Sequence, residues 1–91
     1  MSNAITLPVP TVHSNGTGQA GLVSQLKEAR QALRVAVDAM RQAMPHGRDY
    51  YPQGDAALGP ARDAHLAMIG QVKAIEDAYL ELAVAIMDAG K

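Results

Sequence analysis

Apolar residues recur through the first half of the chain at Leu22, Leu26, Ala29, Leu33, Val37, Met40 and Met44, spaced four, three, four, four, three and four apart. That rhythm keeps them on one stripe of an α-helix. It predicts a helix over residues 17–44. Thr17 is the expected N-cap, because its hydroxyl can accept from a first-turn amide. Pro45 disfavours α geometry at Met44, and Gly47 can turn the chain away. The second half repeats Met68, Val72, Ile75, Tyr79, Leu82 and Ile86 at four, three, four, three and four, which is a heptad seam. It predicts a second helix over residues 56–89. Either Asp55 caps it or Gly59-Pro60 restarts it, and Gly90 ends it.

Residues 45–55 join the two helices as a loop. A connection of that length folds them back as an antiparallel hairpin. Residues 1–16 form an N-terminal arm. Its core, Ile5-Thr6-Leu7-Pro8-Val9-Pro10-Thr11-Val12, alternates apolar residues and carries two prolines, so it is extended. It can run along its own hairpin or along a neighbour's. Ser2-Asn3-Ala4 reads as a cloning remnant or as a native start, and carries no functional weight here. The expected fold is all-α: a two-helix antiparallel hairpin with an extended N-terminal arm.

The hairpin buries one stripe per helix and leaves apolar residues over. Leu66, Ile69, Leu80, Val84 and Met87 form another stripe on the second helix, and Val23 and Val35 are spare on the first. Two-helix units rarely supply a sufficient core. The surplus predicts that the chain assembles with copies of itself as a homo-oligomer.

Composition narrows the chemistry. The 91 residues contain no Cys, Trp or Phe, so disulfides and thiolate chemistry are excluded. The net charge of −1 gives no global attraction to long nucleic acid or to a membrane. No apolar run approaches the roughly 18 residues of a membrane span, and no signal-peptide pattern opens the chain. A soluble cytoplasmic protein is expected. No HExxH motif, no nucleophile with a base and no carboxylate cluster point to an enzyme, and no cofactor is implied.

Three clusters could hold a ligand. The loop Pro45-His46-Gly47-Arg48-Asp49-Tyr50-Tyr51-Pro52-Gln53-Gly54-Asp55 contains two of the three tyrosines. Arg48 offers a cation, and Tyr50 and Tyr51 offer stacking faces, with His46 beside them. That set suits a planar, anionic, nucleotide-like small molecule. The structural alternative is that the rings cover the end of the hairpin while Arg48 pairs with Asp49 or Asp55. The second cluster, His13-Ser14-Asn15-Gly16-Thr17-Gly18, precedes the first helix. Its amides, with those of the helix start, could bind an anion, or could simply make a turn and a cap. The third is the basic stripe Lys27, Arg30, Arg34 and Arg41. Arg30 and Arg34 could face phosphate, or could pair with Glu76, Asp77 and Glu81 on the other helix. His65 reads as a residue at the edge of the seam. The turn and the loop lie at opposite ends of one hairpin, so a site using both requires an oligomer.

His13-Ser14-Asn15-Gly16-Thr17, taken with Gly47-Arg48-Asp49-Tyr50-Tyr51-Pro52-Gln53-Gly54, resembles a family of small phage and prophage proteins. The resemblance covers nearly the whole layout, and the loop octet is its specific part. Gly18 and Gly21 depart from it, where better helix formers are expected. In architecture the chain also looks like the small helical-hairpin proteins that phages use as sponges for immune nucleotide signals. That likeness implies an oligomer that binds a cyclic nucleotide between protomers without cleaving it. No site residue is carried over from it. The alternative is a structural or interaction protein whose helices dock onto a phage or host protein, with no small ligand.

Overall fold

The computed structural model describes residues 5–13, 16–54 and 56–89. They form an all-helical hairpin with an extended arm. Helix α1 spans Gln19–Gln42, α2 is the single turn Gly47–Tyr50, and α3 spans Leu58–Ala89; one turn of 3-10 helix, Tyr51–Gln53, follows α2.

The ends of α1 differ from the expected ones by two residues each. Gly18, with φ −66° and ψ 161°, occupies the N-cap position, and no side chain caps the helix there. Thr17 is therefore one residue too early to serve. Its Cγ2 instead stands 3.1 Å from where a Cβ would be at Gly21, so its methyl lies over the first turn. At the other end the amide of Ala43 bonds to the carbonyls of Ala39 and Met40, and that of Met44 to Arg41. The last turn thus tightens ahead of Pro45, because Met44 cannot hold α geometry before a proline.

The connection is more ordered than a loop. His46 Nδ1 accepts from the amide of Arg48 at 3.1 Å and caps α2. Pro52 sits in the 3-10 turn, and Gly54, at φ 100°, reverses the chain in a region that side chains disfavour. Helix α3 then starts at Leu58. Pro60 falls in its first turn, where a missing N–H costs nothing. The expected cap Asp55 lies outside the described residues.

Three side-chain rungs fix the pairing of α1 with α3. Gln19 Nε2 donates to the carbonyls of Ile86 and Met87, each at 3.1 Å. Arg30 Nε donates to the carbonyl of Glu76 at 3.1 Å, and His65 Nε2 to that of Met40 at 2.5 Å. Each advance of ten or eleven residues along α1 is matched by an equal retreat along α3, so the helices are antiparallel with no slip. Two of the rungs are reciprocal caps. Ile86 and Met87 belong to the last turn of α3, where carbonyls lack i+4 helical partners, and Met40 to the last turn of α1, where its carbonyl accepts from Ala43 as well as from His65. Each helix thus closes the C-terminus of the other.

The rungs also set the rotation of α3, and they correct the expected seam. The residues toward α1 are His65, Ile69, Val72, Glu76, Tyr79, Ala83 and Ile86. Met68 and Ile75 turn out of the interface and are 48% and 39% exposed. Among the described residues the buried ones are Val37, Ile69, Ala78, Ala83 and Ile86. In the arm, Ile5 and Leu7 are half-buried against the single chain, while Val9 and Val12 are exposed.

The molecule is a rod of 61 × 22 × 17 Å. Its radius of gyration is 18.4 Å, against about 12 Å for a compact chain of this length. Among the described residues no helix is long and apolar enough to cross a membrane.

Candidate functional site

The three candidate clusters occupy three places along the rod. With 24 residues in α1, its two ends are about 36 Å apart. Among the described residues, the turn and the loop thus stand at opposite ends of the rod.

At the loop end, α2 and the 3-10 turn present the expected group. Arg48 and His46 are exposed, Tyr50 is half-buried, and Tyr51 is 82% exposed. Tyr50 and Tyr51 line a cavity of about 140 Å³ with Gly47, Gly54 and Leu58. The ring of Tyr51 does not cover the hairpin end, so of the two tyrosines only Tyr50 packs. Arg48 forms no ion pair with Asp49, and Asp55 lies outside the described residues. A cation and an aromatic face three residues apart in the chain are therefore both exposed to solvent. His46 acts through its ring nitrogen as the cap that holds α2 and so positions Arg48.

At the other end the amide of Gly16 donates to the carbonyl of His13 at 3.1 Å and closes the turn. The imidazole folds back over Gly16, and a Cβ there would come within 2.8 Å of His13 Nε2. A side chain at this position would have to displace the exposed His13 ring. Thr17 is exposed next to it. Asn15, the third member of the predicted donor set, lies outside the described residues, as does Ser14.

Arg30 and Arg34 sit mid-rod, one turn apart, over Glu76. The Nη2 of Arg30 is 3.8 Å and the Nε of Arg34 is 3.7 Å from the same Oε1. Glu76 is only 12% exposed, whereas the side chain of Arg34 is 64% exposed. The pairing alternative is realised with Glu76; among the described residues no ion pair joins these arginines to Asp77 or Glu81. Arg41 and Lys73 extend the patch, and Asp38 stands 4.0 Å from Arg41. The groove so formed, about 360 Å³, has four cations against two carboxylates. Its ion pairs are long, so each is weak.

One concavity escaped sequence reasoning. Gln19, Val23, Lys27, Gln31 and Met87 line an open groove of about 660 Å³ near the start of α1. The spare apolar residues Val23 and Met87 were its only sequence signal. Among the described residues there is no cluster of three His, Asp or Glu that could hold a metal ion, and no buried side-chain polar atom lacks a partner. Against family models, curated proteins and solved structures the chain has no match.

Proposed function

We propose that this chain is a homo-oligomeric, non-enzymatic binding protein that sequesters a nucleotide-like anion, in the manner of the phage sponges it resembles. The carrying observation is the exposure of Tyr51, 82%, beside an Arg48 that forms no ion pair among the described residues. A tyrosine that closed the hairpin end would be covered. A tyrosine and an arginine held out together suit stacking on a base and pairing with a phosphate. At the turn the Gly16 amide is taken by the His13 carbonyl, which leaves exposed Thr17 as the donor offered there, and it reaches the loop only if a second copy lies antiparallel. The rod shape supports assembly, because the apolar residues Leu66, Leu80, Val84 and Met87 are 42–51% exposed.

The test is native mass spectrometry of the full chain with a panel of cyclic and linear nucleotides. The expected result is an oligomer that gains discrete nucleotide masses. Arg48→Ala and Tyr51→Ala should each weaken binding at least about tenfold, the scale of one lost charge-assisted or stacking contact. Both variants should keep the melting temperature, since exposed substitutions change stability by only about 0.5 kcal/mol. Tight binding by Arg48→Ala would remove the loop from the site. If the wild type takes up no nucleotide of the panel and Tyr51→Ala melts much lower, the loop is a packing element and the chain docks onto a protein.

A further inference from the structure

A flank of α3 that borders the mid-rod groove, which Lys73 also lines, carries a second run of heptad spacing. Leu66, Gly70, Lys73, Asp77, Leu80 and Val84 follow one another at spacings of four and three, and all are exposed. A helix facing only water has no need of this pattern; it is the pattern of a coiled-coil surface. Gly70 is the second sign. Nothing lies within 4 Å of a Cβ built there, so the hairpin does not require a glycine. Yet a mid-helix glycine costs about 1 kcal/mol relative to alanine. Lys73 and Asp77 are the third. They are four residues apart on one helix, yet neither has an ion-pair partner among the described residues.

We infer that the occupant of this seam is α3 of a second copy, lying antiparallel about a two-fold axis between Lys73 and Asp77. In that register Leu66 faces the partner's Val84, Gly70 faces the partner's Leu80, and Lys73 faces the partner's Asp77. The axis repeats each pairing, as an isologous interface requires. The three pairings match in different ways. Two apolar side chains meet at each end, the missing side chain of Gly70 makes the hole for a leucine knob, and two unpaired charges of opposite sign meet at the centre.

The alternatives fail on the same residues. Parallel helices would set Lys73 against Lys73 and Asp77 against Asp77. A shift by one heptad would set Leu66 against Asp77, or Asp77 against Leu80. Charge and size together select one orientation and one register. The area is sufficient. The chain exposes 6619 Å², and a compact protein of its mass exposes about 5,100 Å². The excess, roughly 1,500 Å² per chain, exceeds the about 800 Å² that each partner buries in a standard interface. The inference rests on the oligomeric part of the proposed function and is independent of the ligand.

The experiment is sedimentation and native mass measurement of the full chain over a concentration series. The variants are Lys73→Asp, Asp77→Lys, the double reversal and Gly70→Leu. The wild type should dimerise through this seam. Each single reversal places two like-charged pairs at the centre and should raise the dissociation constant at least about tenfold. The double reversal should restore it. Gly70→Leu should abolish this dimer while keeping or raising the helix content, which separates a lost interface from a lost fold. If the wild type assembles but ignores these variants, the seam is wrong and the oligomeric reading survives. A wild type that stays monomeric overturns both. Nucleotide binding is scored separately and decides neither.

Discussion

Gln19 is the first residue of α1, and replacing it with glutamate sets two helix ends against each other. The first turn of α1 has no acidic residue. A carboxylate there would interact favourably with the N-terminal dipole by about 0.3–1 kcal/mol. Judged on α1 alone, Gln19→Glu stabilises. The structure reverses the sign, because the Gln19 amide donates to two last-turn carbonyls of α3 at 3.1 Å each. A carboxylate cannot donate, so both bonds are lost. Water can replace the one to the exposed Met87 carbonyl, and less easily the one to the part-buried Ile86 carbonyl. That loss is about 1–2 kcal/mol. A negative charge beside the negative end of α3 adds about 0.3–1 kcal/mol, which roughly cancels the gain at α1. The net is a destabilisation of about 1–2 kcal/mol, or on the order of 5–10 °C in melting temperature for a domain of this size. Gln19→Ala loses the same bonds with neither charge term, so it should be destabilised by about as much, about 1–2 kcal/mol. Circular dichroism melts at one fixed protein concentration give both losses, and hydrogen exchange should show the last turns of α3 fraying first in both variants. A glutamate variant as stable as the wild type would refute the cross-helix cap.

Ile86 is 1% exposed, and Ile86→Ala should cost about 2–4 kcal/mol by chemical denaturation; a loss below about 1 kcal/mol would mean that α3 is rotated away from the assigned seam. Glu76→Gln should cost only about 0.5–1 kcal/mol, because the two ion pairs are long and Arg34 is largely exposed. The difference from wild type should shrink in high salt, and a salt-independent loss would mean a buried, fully desolvated pair.

The two long helices and their hairpin arrangement were legible because the apolar spacing is strongly periodic and Pro45 interrupts it; Gly47, expected to turn the chain, instead opens α2, and the positive φ falls at Gly54. The rotation of α3 was not. Met68 and Ile75 are more hydrophobic than Glu76 and Ala83, so periodicity alone favoured the wrong neighbours. Rotation is decided by side chains that sequence patterns score as polar: His65, Glu76 and the partner arginines. The caps were missed for the same reason, since both are contacts between residues far apart in sequence. At the loop, the residue types were readable. Which tyrosine packs and which stands in solvent depends on the turn of α2 and the Gly54 reversal, and neither has a periodic signature.

The reciprocal caps make the length of the hairpin a shared property of its two arms. Seven residues added to α1 alone would carry Gln19 about 10 Å beyond the last turn of α3. Both carbonyls would lose their donor, and a stretch of α1 would protrude with no helix beside it. Seven residues added to each arm would keep every rung. The rod can therefore grow or shrink only in matched increments, and an insertion tolerated in one helix should prove to be accompanied by its equal in the other.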